Sequence, residues 1–97
     1  MYALAILRYR RPLDEVLVAI EEHRAYLREL QARGILLASG PQVPRSGGAL
    51  LLRVPDDDAA TTLERVRDGD PFVKRGLAQY EVFPWDVNIG RDALDTL

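Results

Sequence analysis

The sequence predicts an α+β domain of ferredoxin-like βαββαβ order, with both helices on one face of an antiparallel sheet. Three observations predict it. Four short apolar runs, rich in residues that suit a pleated surface, are bounded by Pro and Gly turn signals. Two longer stretches repeat apolar residues at steps of three and four, the period of an amphipathic helix. Between the second and third apolar runs there is only a loop, so two strands follow one another without a helix between them.

Tyr2 to Tyr9 is the first strand, ended by Arg10-Arg11-Pro12. Tyr2, Leu4 and Ile6 face one side and Ala3, Ala5 and Leu7 the other; neither set is polar, which predicts a central strand covered on both faces. Pro12 suits a first helical turn, Asp14 and Glu15 favour its positive end, and Gly34 stops it, so one helix is expected from about Leu13 to Arg33. A short strand, Ile35 to Ser39, ends in Ser39-Gly40-Pro41, a turn signal at which backbone can approach a ligand closely. Gln42 to Gly48 is read as a loop and Ala49 to Val54 as the third strand. Pro55-Asp56-Asp57-Asp58 opens the second helix, with an aspartate as N-cap, and the helix runs to about Arg67. Asp70 precedes a proline and is biased to extended or turn backbone, while Pro71 opens a short helical turn through Arg75 that Gly76 ends. Leu77 to Pro84 is the last strand. Trp85 to Leu97 is a tail in which Arg91 to Leu94 suit one or two helical turns.

At 97 residues the chain is expected to be one domain, with its core in about 1–86 and a tail over 87–97. A hydrophobic content of 47% with 29% charged residues excludes the disordered class. Thirteen basic and fifteen acidic residues are mixed along the chain, leaving a net charge of -2 and no basic stripe, so nucleic acid is not an expected partner. The absence of cysteine excludes thiol catalysis and thiolate sites, one histidine argues against a histidine-based metal cluster, and neither metal nor cofactor is expected. Met1-Tyr2-Ala3-Leu4 runs into Arg8 and Arg10 without a leader or a spanning segment, from which we expect a cytoplasmic protein with no membrane partner.

The single histidine is the candidate functional residue. Val16, Ile20, His23, Leu27 and Leu30 share one helical face, with Leu13 and Leu17 beside it, so the imidazole points inward where a leucine would be ordinary. Such a ring needs a buried partner, a water, or a ligand cavity. Elsewhere the plainer readings compete. Ser39, Gly40 and Pro41 form either one edge of a pocket or a plain turn, Phe72 and Trp85 read as core before pocket walls, and Arg75 as a solvated helix charge before an anion contact. The Asp56-Asp57-Asp58 run reads as helix capping. An apolar face of the sheet left uncovered by helices calls for a partner, most simply a second copy.

Taken together, His23-Arg24-Ala25-Tyr26-Leu27, Gly34, Ser39-Gly40-Pro41, Asp70-Pro71-Phe72-Val73-Lys74-Arg75-Gly76-Leu77 and Phe83-Pro84-Trp85 resemble the YCII-related (YciI-like) family over about residues 1–86. The resemblance implies a dimeric α+β barrel with a pocket between helices and sheet, a fold also found in muconolactone isomerases. It further implies a His-Asp pair, here His23 and Asp70, and the activity best associated with the family is loss of chloride from chlorinated hydroxyhydroquinones. A carboxylate on one imidazole nitrogen fixes the tautomer and raises basicity, leaving the other nitrogen to move protons. The expectation is therefore a homodimeric enzyme of isomerase or lyase type acting on a small cyclic molecule, with Ser39, Gly40, Pro41 and Phe72 contacting the ligand. The competing expectation is a non-catalytic ligand-binding or dimeric interaction module of the same fold.

Overall fold

A computed structural model describes residues 1–97. Four strands, β1 (Tyr2–Tyr9), β2 (Leu36–Pro41), β3 (Gly47–Arg53) and β4 (Ala78–Trp85), form one sheet in the order β2-β3-β1-β4, with every neighbouring pair antiparallel. The helices are α1 (Leu13–Leu17), α2 (Ile20–Ala32), α3 (Ala59–Gly69), α4 (Pro71–Lys74) and α5 (Arg91–Asp95). This is the ferredoxin-like α+β arrangement that the order of apolar runs predicts.

β1 occupies a central position because both of its neighbours match its apolar alternation. Ala3 lies opposite Leu52 and Pro84, Ala5 opposite Leu50 and Val82, and Leu7 opposite Gly48 and Tyr80. Small alanines on this face let the helices approach closely. Ala3, Ala5, Leu7, Leu50 and Leu52 join Val16, Leu30, Leu63, Val66 and Phe72 in one buried cluster, each large side chain stabilising the fold by up to about 1.5–3 kcal/mol. The opposite face carries Leu4, Ile6, Leu51 and Phe83, with Phe83 45% and Trp85 41% exposed. One end of it is closed by the tail: Tyr2 donates to Asp95, Arg53 donates to the carbonyls of Leu94 and Leu97, and Val87 is buried.

Several elements differ from the sequence expectation. The expected single helix from Leu13 to Arg33 is interrupted at Val18 and Ala19, where Ala19 adopts φ -100° and ψ 10°. There the amides of Val18 and Ala19 bond three residues back, to Glu15 and Val16. A tightened turn stacks residues three apart, so Val16 and Ala19 are both fully buried while Val18, Leu13 and Leu17 face solvent. The loop expected over Gln42 to Gly48 is shorter, because Pro41 pairs with Gly48 and Gly40 with Ala49. Pro41 is tolerated there because β2 is an edge strand. Asp58 stands at the start of α3 but makes no capping bond with its side chain, and Asp56 instead pairs with the terminal amine of Met1. A turn of 3-10 helix over Asp56–Asp58 leads into α3 in place of the expected cap.

Candidate functional site

Asp70 sits between α3 and α4, where its extended backbone, φ -69° and ψ 127°, satisfies the restriction that Pro71 imposes. Its side chain turns inward and is fully buried. One oxygen, Oδ1, accepts from the backbone N–H of Phe72 at 2.9 Å, capping α4, and also lies 2.9 Å from Nδ1 of His23. The other, Oδ2, accepts a short hydrogen bond from the hydroxyl of Tyr80 on β4. Three donors on one buried carboxylate offset the cost of taking it out of water. Burial first, and then the Asp70 charge beside it, push the Tyr80 hydroxyl far above the usual phenol range, so it remains a donor.

His23 reaches Asp70 because α2 crosses the sheet with this residue on its inner face, 8% exposed. The imidazole lies flat on the Phe72 ring, with centroids 3.9 Å apart and planes within 6°, and Tyr9 meets Phe72 edge-on at 6.2 Å. Because Oδ1 is an acceptor, Nδ1 carries the proton toward Asp70 and Nε2 is the basic nitrogen. No buried side-chain nitrogen or oxygen lacks a partner, and Nε2 has none in the protein, so it is reached from the adjoining cavity.

That cavity, of about 230 Å³, lies between α2 and the sheet, and His23 lines it. Its floor is Leu7 and Leu50, with Gly48 adding no side chain on the helix face. Ser39, Gly40 and Pro41 form one edge, Phe72 and Tyr9 part of the wall, and Arg24 and Arg45 complete the rim. Residues 2–86 match the YCII-related domain.

The chain belongs to the YCII-related family. Its fold is shared with a solved structure, the 5-chloro-2-hydroxyhydroquinone dehydrochlorinase (TftG) from Burkholderia phenoliruptrix AC1100, in complex with 2,5-dihydroxybenzoquinone. That structure superposes with a TM-score of 0.71 at 23% identity, covering 91% of this chain and 96% of that one. No curated protein sequence matches.

In this YCII-related chain the candidate residues His23, Ser39, Gly40, Pro41 and Phe72 all border one cavity, and Asp70 stands directly behind the imidazole. Trp85 lies at the other end of the molecule, and Arg75 is on the surface, paired with Glu22 at 2.9 Å. Sequence reasoning missed Tyr80, Tyr9 and Arg45. Tyr80 had a signal, since it alternates with Val82 and Ala78 on the helix face of β4, and a phenol on that face needs an acceptor inside. Tyr26 also has a fixed task. Its hydroxyl donates to the Val66 carbonyl at 2.7 Å, and burial pushes its pKa up to about 12. A side chain at Gly69 would collide with that hydroxyl at 2.7 Å, so the contact fixes the end of α3, and Asp70 after it, against the helix that carries His23.

Proposed function

We propose that this chain is a small-molecule enzyme in which His23 and Asp70 perform general acid-base chemistry of the isomerase or lyase type on a small cyclic compound. The observation that supports it is a fully buried carboxylate holding the Nδ1 side of an imidazole whose Nε2 is reached from a cavity. Neutral Nε2 takes a proton from carbon or oxygen of the bound ligand, and Asp70 stabilises the imidazolium that forms. In an elimination, the electron pair of the broken bond to hydrogen becomes a new π bond and chloride leaves with its own bonding pair. In an isomerisation or lactone rearrangement the same nitrogen returns the proton at a second position. The dehydrochlorinase with its bound quinone supports a cyclic substrate for this cavity. Phe72 supplies a flat wall for the ring, and Ser39, Gly40 and Pro41 its edge.

The test is turnover of a panel of chlorinated hydroquinones and unsaturated lactones by the wild type, His23→Ala and Asp70→Asn. Each substitution should lower kcat/KM by about 10²–10⁴. Wild-type turnover in both variants sinks the assignment.

We also infer a homodimer through the helix-free sheet face, supported by the apolar set Leu4, Ile6, Leu51 and Phe83. Sedimentation at micromolar concentration should return twice the chain mass, and a monomer removes this assembly. No helix is long and apolar enough to cross a membrane.

A further inference from the structure

We propose that the cavity beside His23 takes a small organic anion, whose carboxylate or equivalent pair of oxygens is bound by Arg45 together with the Tyr9 hydroxyl. The inference deepens the acid-base reading of the same cavity and rests on it for the chemistry that follows binding. Two guanidinium groups and no carboxylate side chain border the cavity. Their circumstances differ. Arg24 is drawn toward Glu21 at 3.4 Å, whereas the only side-chain bond of Arg45 is a long one, 3.5 Å, from Nε to the Tyr9 hydroxyl. Both terminal nitrogens of Arg45 are therefore free, in the planar fork that matches two oxygens of a carboxylate.

The Tyr9 hydroxyl accepts from Arg45, which leaves its own hydrogen to donate to the same anion. Tyr9 also joins the two ends of the cavity. Its ring meets Phe72 edge-on, and Phe72 stacks on His23, so one aromatic wall runs from the cationic rim to the basic nitrogen. An anionic head at Arg45 and Tyr9 lays the remainder of a flat ligand along Phe72, above the apolar floor of Leu7 and Leu50. A cation at one end and a base at the other also define direction. The ligand's charge is fixed at the rim, and the atom that loses its proton is the one presented to Nε2. A volume of about 230 Å³ suits a single substituted ring.

Benzoate and its uncharged analogue benzamide test this on the full chain. Ligand-detected NMR gives affinity, and because the chain has one histidine, a single set of imidazole signals reports on His23. The wild type should bind benzoate at least about ten-fold more tightly than benzamide, with movement of the His23 ring signals and weakening as salt is raised. Arg45 is exposed, so Arg45→Ala folds normally; it should erase the preference for benzoate by weakening benzoate binding far more than benzamide binding, and Arg45→Lys should retain part of it. Equal binding of the two probes by the wild type, benzoate binding indifferent to Arg45→Ala, or no saturable benzoate binding up to about 10 mM overturns the proposal. His23→Ala should keep the charge preference, so a failed acid-base assignment leaves this result standing. Conversely, probes that move the His23 signals without regard to charge remove the anion site alone.

Discussion

Tyr80→Phe isolates one hydrogen bond in the buried group behind the cavity. The substitution deletes a hydroxyl without changing the ring, so it opens no sizeable cavity. What it removes is the sole partner of Asp70 Oδ2, in a residue with 0% exposure. A hydrogen bond to a charged group contributes about 1.5–3 kcal/mol, and stranding a buried carboxylate oxygen places the effect in the upper part of that range. We expect a loss of about 2–3 kcal/mol, and at roughly 4–8 °C per kcal/mol for a domain of this size the melting temperature should fall by roughly 8–24 °C. Urea unfolding followed by Trp85 fluorescence measures it, with an unchanged m-value certifying that the native and unfolded states are comparable. The same substitution in an Asp70→Asn background should cost less, because a neutral amide needs its second partner less than a carboxylate does; a coupling of about 1–2 kcal/mol is expected. A loss below about 0.5 kcal/mol, or a cycle that is simply additive, refutes the reasoning that Tyr80 holds the carboxylate in place.

Two further predictions concern stability. Unfolded phenols ionise near pH 10, whereas folded Tyr26 does so at about 12 and folded Tyr80 is also raised, so above pH 10 the unfolded chain holds fewer protons and stability must fall. That contribution is complete below pH 10 and is lost through pH 12; urea midpoints should decline across this window, and Tyr26→Phe should make the decline shallower. A Cβ at Gly47 would lie 1.8 Å from the Leu7 carbonyl oxygen, a backbone atom, whereas one at Gly40 meets nothing within 4 Å. Gly47→Ala should therefore destabilise by more than about 3 kcal/mol while Gly40→Ala stays within about 1 kcal/mol of wild type, as measured by thermal unfolding.

What the sequence disclosed follows from which signals are local. Hydrophobic period and Pro or Gly punctuation located every strand to within two residues and placed His23 on an inward face, because both are fixed by neighbours along the chain. The break at Val18 and Ala19 was not legible. Nothing in Leu17-Val18-Ala19-Ile20 breaks a helix; the interruption satisfies the sheet, which buries Val16 and Ala19 together. Asp56 to Asp58 misled for a similar reason, since three aspartates before a helix carry the composition of a cap whether or not a side chain reaches an amide. Tyr80 and Arg45 meet their partners across 10 and 36 positions, and those distances along the chain are set by register rather than by local pattern.

One oxygen of Asp70 carries two tasks. Asp-Pro is a common start for a helical turn, and capping α4 is one task of Oδ1, performed on the Phe72 amide. The same oxygen faces Nδ1 of His23. The tasks are coupled through Phe72, whose amide is held by Asp70 and whose ring supports the imidazole that Asp70 orients. Pro71 fixes the backbone before it, and Tyr26 pins the end of α3. The orientation of the only histidine is thus set by a helix start that the local sequence would build in any case. Placing the pair therefore required only that α2 and β4 bring His23 and Tyr80 to either side of a carboxylate the turn had already positioned.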